Sequence, residues 1–429
     1  MSAQSLNVVS ATSASPESAG MSEARLQRLD EHLKRNYVDN GRFPGTHTLV
    51  YRRGKVVHST VQGLADVERN VAVKDDTIFR IYSMSKPITS VAFMMLVEEG
   101  KVALDEPVAK YIPEWRNLGV YVGGMPTLGV QPGGPPRFIT RPTARPMQIV
   151  DLLRHTSGLT YGFQNRTNVD AAYRTLKIGN VDVSGTLQSM IEGVATLPLE
   201  FSPGEAWNYS ISTDVLGYLI GKISGKPFEQ FLKERVFDPL GMVDTAFYVP
   251  EEKAHRFAAC YSADGKGGKV LQDDPAKSAY LKPPSFVSGG GGLVSTSADY
   301  LKFCRMLLGR GALGNARLLS PKTLALMTTN HLPGNKTLPE LSRSLFSEAT
   351  YDGVGFGLGF AVTMDAARTL IPGSAGEFWW GGAATTSFWI DPAEDLAVVF
   401  MTQNLPSAAY PVRRELRTLV YSAITESNS

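Results

Sequence analysis

Ser83 and Lys86 stand three residues apart at the opening of "RIYSMSKPITSVAFMMLVEEG", residues 80–100. A serine hydroxyl attacks a carbonyl only when a neighbouring base takes its proton. A lysine amine can be that base when burial or a second cation lowers its pKa. Ile88, Val91, Ala92, Met95 and Leu96 recur at helical spacing, so the stretch reads as an amphipathic or buried helix. Pro87 lacks a backbone donor and suits a first turn, which sets the helix start near Ser83. Ser83 and Lys86 then share one face. A lysine at the positive end of a helix dipole gains nothing from it. The apolar helix behind it offers a better reason, the burial a basic amine needs. Backbone N–H groups at the helix start also lie where an oxyanion forms during acyl transfer. Taken alone, S-x-x-K equally fits a solvated lysine beside a capping serine.

Two more segments carry usable chemistry. In "PGEAWNYSISTDVLGYLIG", Tyr209 and Ser210 precede an apolar helical stretch that begins near Asp214. In "EFWWGGAATTSFWI", Trp380-Gly381-Gly382 joins two β-rich runs, and glycines inside a sheet mark a bulge, a turn or a close backbone approach. Singly, the tyrosine reads as a wet interface residue and the glycines as a turn.

The order S-x-x-K, then Y-S, then W-G-G resembles the serine β-lactamase and penicillin-binding-protein superfamily. Within it the chain is similar to the family VIII carboxylesterases. "LDEPVAKYIPEW" (104–115), "LLRHTSGL" (152–159) and "SGGGGLVSTSADYLKF" (288–303) extend the resemblance along nearly the whole chain. It implies Ser83 as nucleophile, Lys86 as its proton acceptor, and Tyr209 as donor to the leaving group or activator of the deacylating water. It also implies an oxyanion hole from the backbone N–H groups of Ser83 and Ala383, with Trp380, Gly381 and Gly382 lining the acyl site. Two departures matter. Ile211 stands where the β-lactamase tyrosine motif ends in asparagine, so an amide donor to a β-lactam side chain is missing. Trp380 stands where β-lactamases and peptidases place a lysine that holds the substrate carboxylate. An indole there leaves an apolar surface, which favours a neutral ester. With Lys86 as the one cation expected beside Tyr209, the lysine takes more of the base role and the phenol acts as a relay. Activity should then rise into mildly alkaline pH.

The resemblance implies an α/β (α+β), β-lactamase/transpeptidase-like fold, and the elements fit it. A helix starts near Ser22 with Leu26, Leu29, Leu33 and Tyr37 as its stripe. "THTLVYRRGKVVHSTVQG" reads as a hairpin turning at Arg53-Gly54. "GFGLGFAVTM", "GEFWW", "TTSFWI" and "LAVVFMTQ" are β-rich, Asp391-Pro392 marks the last turn, and "VRRELRTLVYSAI" closes the chain as a helix. The expected layout is an antiparallel sheet from residues 1–76 and 346–429, flanked by the terminal helices. A mostly helical region, 77–345, would stand beside it with the active site between. Residues 119–138 look too turn-rich for a regular element and should form a lid or wall of the pocket.

Composition narrows the field. The chain has 429 residues, 43% of them hydrophobic and 20% charged, with a net charge of +2 and no Lys/Arg block. Nucleic acid and membrane surfaces are excluded as partners on electrostatic grounds. Cys260 and Cys304 are too few for a disulfide framework. The first twenty residues lack a secretory pattern, so the reading is a cytoplasmic protein. The six histidines show no metal-ligand spacing, and neither metal nor cofactor is expected. His155 suggests a Ser-His-Asp triad, but no G-x-S-x-G elbow exists, and the residue reads as structural. Gly289–Gly292 lacks the Lys-Ser/Thr of a P-loop and reads as a close-packed turn bordering the site. The leading function is a serine carboxylesterase acting on short-chain esters through an acyl-enzyme on Ser83, with weak β-lactam hydrolysis or acyl transfer as side activities. A β-lactamase or D-amino-acid peptidase, and a non-catalytic penicillin-binding-like sensor, are the alternatives.

Overall fold

The structure, a computed structural model, describes residues 12–124, 138–179, 185–343 and 351–428. Among them, nine strands form one sheet: β1 (Thr12–Ser13), β2 (Gly45–Arg52), β3 (Lys55–Asp66), β4 (Val71–Ala72), β5 (Val354–Phe356), β6 (Ala361–Thr363), β7 (Phe378–Gly381), β8 (Ser387–Asp391) and β9 (Leu396–Met401). Their order is β1-β3-β2-β9-β8-β7-β6-β5, with β4 on β3. All pairs are antiparallel except the two-residue β1 against β3. The β2–β3 hairpin turns at Arg53 and Gly54, both at positive φ, as its Arg-Gly pair predicts.

Central strand β9 shows why the sheet lies between helical layers. Its residues are all buried, and alternate side chains enter different cores. Leu396, Val398 and Phe400 pack under the terminal helices α1 (Glu23–Leu33) and α5 (Val412–Ser422), against Leu26, Leu29, Leu416 and Val420. Ala397, Val399 and Met401 face the larger core, where α4 (Ser297–Leu308) packs on β9. A strand buried on both faces needs a continuous apolar run, and "LAVVFM" supplies it.

Within the larger core, α2 (Ser85–Glu98) packs against α3 (Ser212–Ser224), and every residue from Ser85 to Leu96 is buried. Three expectations shift. The helix starts at Ser85, after a 3-10 turn at Tyr82–Met84 that contains Ser83. "GFGLGFAVTM" holds two strands, β5 and β6, because its glycines turn the chain; a Cβ on Gly359, at φ +99, would collide with Ser90. The ends of 119–138 are partly regular, since Val120–Gly123 pairs with Ile139–Arg141. Residues 125–137, the body of the expected lid, lie outside the described residues.

Candidate active site

Tyr82 adopts a left-handed φ of 42 immediately before Ser83, bending the chain sharply at the mouth of α2. The bend is pinned from several sides. The Met84 amide donates to the Ile81 carbonyl at 3.0 Å, Tyr300 OH donates to the Met84 carbonyl at 2.9 Å, and the Leu293 amide donates to Ser85 Oγ at 3.2 Å. Ser83 is thereby held at the cavity surface with its hydroxyl toward two partners.

The first partner is Tyr209. Its hydroxyl donates to Ser83 Oγ at 2.5 Å, and the residue is 8% exposed. Tyr209 sits in a segment docked on residues 155–160. The Asn208 amide donates to the His155 carbonyl at 2.9 Å, Asn208 Nδ2 to the Leu159 carbonyl at 2.9 Å, and Gln164 Nε2 to the Tyr209 carbonyl at 2.5 Å. His155 stands behind the phenol, ring centroids 5.1 Å apart, with Nδ1 3.2 Å from Ser210 Oγ. Burial, and then the Lys86 charge, hold its pKa well below the ordinary imidazole range. It is a neutral packing group.

Lys86 is the second partner and is 2% exposed. Its Nζ lies 3.4 Å from Ser83 Oγ, donates to the Gly290 carbonyl at 2.6 Å, and stands 4.4 Å from the Tyr209 ring centroid. A buried polar head group needs such compensation. More comes from Asp214, on α3, which accepts from Ser288 Oγ at 2.6 Å and from the Gly290 amide at 2.9 Å. Lys86 and Asp214 thus hold opposite ends of Gly290. Burial pushes the Asp214 carboxyl above its usual range, opposed first by the Lys86 charge. A Cβ on Gly290 would lie 2.7 Å from Asp214 and 2.8 Å from Tyr161 OH, so this position must be glycine.

The Trp380-Gly381-Gly382 segment ends β7 beside this cluster. Trp380 packs its ring 5.6 Å from Tyr209 and 5.4 Å from Phe356. A Cβ on Gly382 would stand well inside 3.0 Å of the Ile81 carbonyl and Thr386 Oγ1, so the strand end abuts the turn carrying Ser83. Ala383 follows in an exposed turn. Ser83, Tyr209, Trp380, Gly381, Gly382 and Ala383 all border one cavity of about 1130 Å³. No carboxylate is among its described lining residues, whereas Arg174, Lys177 and Arg413 are. The sequence reading did not anticipate Asp214 or Arg413. The glycine run Gly289–Gly292 was the one signal toward the first, and nothing in a terminal helix rich in arginine singled out the second. Among the described residues no cluster of His, Cys, Asp and Glu could hold a metal, and no helix is long and apolar enough to cross a membrane.

Residues 30–422 match the family model described as Beta-lactamase. The chain belongs to the β-lactamase family. Protein Rv1367c of Mycobacterium tuberculosis is 38% identical over 376 residues, covering 87% of this chain and 88% of the relative. Esterase EstB of Burkholderia gladioli is 29% identical over 432 residues, covering 96% of this chain and all of the relative. Among solved structures, EstCE1, described as a hydrolase with promiscuous acyltransferase activity, superposes with a TM-score of 0.72 at 27% identity, covering 93% of this chain and 98% of that one. The fold is that of the β-lactamase and transpeptidase-like hydrolases, with esterase and acyltransferase relatives.

Proposed function

We propose that this serine hydrolase cleaves neutral, short-chain carboxylic esters through an acyl-enzyme on Ser83. The observation that carries the reading is the 2.5 Å contact between Tyr209 OH and Ser83 Oγ, with Lys86 Nζ behind both. With the Lys86 amine neutral at the start of the cycle, Ser83 Oγ attacks the ester carbonyl and its proton passes by way of the phenol to that amine. The proton returns through Tyr209 to the departing alkoxide, and water repeats the cycle on the acyl-enzyme. The N–H groups of Ser83 and Ala383 receive the oxyanion. The aromatic wall of Trp380, Tyr209 and Trp207 sets an apolar surface beside Ser83, which supports a neutral ester as the acyl donor. The EstB relative favours the same reading.

The test is a chain-length series of p-nitrophenyl esters run beside nitrocefin on one preparation, with Ser83→Ala as control. The expected result is ester turnover above nitrocefin turnover, abolished in the variant. A nitrocefin rate above the ester rate would install the β-lactamase reading. Failure of Ser83 to label with a fluorophosphonate would install the non-catalytic one. A cavity of about 1130 Å³ leaves room for an alcohol beside the acyl group, so transfer to alcohols belongs to the same chemistry.

A further inference from the structure

Arg413, at the start of α5, spends its Nη2 on two backbone carbonyls: Gly382 at 2.7 Å and Thr386 at 2.9 Å. It forms no ion pair among the described residues, and its Nε is buried without a partner. Arg417, one helical turn on, shows the ordinary alternative by pairing with Glu377. A half-buried guanidinium without a counterion is costly to keep. Gly381 makes room for it, since a Cβ there would lie 2.6 Å from Nη2.

The Gly382 carbonyl and the Ala383 N–H belong to one planar peptide group. A cation on the carbonyl oxygen fixes the plane and draws electron density toward that oxygen, making the N–H at the other end a stronger donor. We propose that Arg413 is a positioning residue of the oxyanion hole, orienting and polarising the 382–383 peptide so that the Ala383 N–H meets the charge developing on the substrate oxygen. The inference rests on the reading above, in which that N–H is an oxyanion donor. The Thr385 amide also donates to the Gly382 carbonyl, at 3.1 Å, so the turn survives loss of the guanidinium. What is lost is the charge. The expected effect is about tenfold in kcat, smaller than the 10²–10³ of deleting a donor.

The experiment compares wild type, Arg413→Ala and Arg413→Lys on a neutral ester, and records the infrared band of a ¹³C-labelled acyl carbonyl on Ser83. In wild type the band should lie below its position for the same ester in water. In Arg413→Ala it should move back up, kcat should fall about tenfold with KM nearly unchanged, and added guanidinium should restore both. Arg413→Lys, which keeps the charge, should lie between, and melting curves confirm that each variant is folded. A band equally low in wild type and Arg413→Ala, or a change confined to KM, overturns the role of Arg413. A wild-type band at its aqueous position instead sinks the oxyanion assignment of Ala383 itself, so the two failures are told apart.

Discussion

Replacing Tyr209 by phenylalanine removes one oxygen from the cluster and little else. The ring keeps its neighbours: His155, Tyr161, Trp207 and Trp380 have centroids 5.1–6.2 Å away. The hydrogen bond to Ser83 disappears, a loss of about 1 kcal/mol in stability. The kinetic loss is larger. Ser83 would be left with Lys86 at 3.4 Å, beyond a good N–H···O distance, as its proton partner. A positioned acid–base group contributes roughly 10²–10⁴-fold, or about 3–5 kcal/mol of barrier. The assay is kcat/KM on matched p-nitrophenyl and ethyl esters. Ethoxide cannot leave without a proton whereas nitrophenolate can, so the ethyl ester should lose at least tenfold more. Lys86→Met and the double variant complete a cycle, and the double loss should barely exceed the larger single loss, as for groups acting as one unit. A loss below about tenfold on both esters, in a protein that melts normally, would refute the proton path.

Gly382→Ala should reduce turnover more than a hundredfold and lower stability by about 1–3 kcal/mol, because the methyl has nowhere to go between Ile81 and Thr386; kinetics and thermal melts check both. Asp214→Asn should cost about 1–2 kcal/mol in urea unfolding, since a buried carboxylate that accepts from Ser288 Oγ and the Gly290 amide gives way to a neutral amide. His47 is buried, and desolvation brings it from 6.5 down to about 4 despite nearby Asp75. The unfolded chain therefore binds the extra proton first, and stability should fall by about 3 kcal/mol as pH drops from 6.5 to 4. His47→Gln should flatten that slope in pH-dependent melts, and an unchanged slope would contradict the account.

Local pattern made part of this legible. The spacing of Ser83 and Lys86, the buried helix behind them, the hairpin at Arg53-Gly54 and the C-terminal strands all follow from periodicity and turn chemistry in adjacent residues. The 3-10 turn that carries Ser83 was not legible, because the bend at Tyr82 is held by Tyr300 and Leu293, more than two hundred positions away. Asp214 and Arg413 were hidden for the same reason. One lies in an apolar helix and the other among arginines, and each gains meaning only from the backbone groups that the fold brings to it.

Ser83, Tyr209, Gly290 and Gly382 come from four segments spread over three hundred residues, and the last helix supplies the arginine that braces the fourth. On the proposed mechanism, turnover begins only after the C-terminal strands and helix have docked. A nascent or truncated polypeptide should therefore be inert however much of its sheet has formed. In refolding experiments the return of ester cleavage can serve as a clock for the last step of assembly.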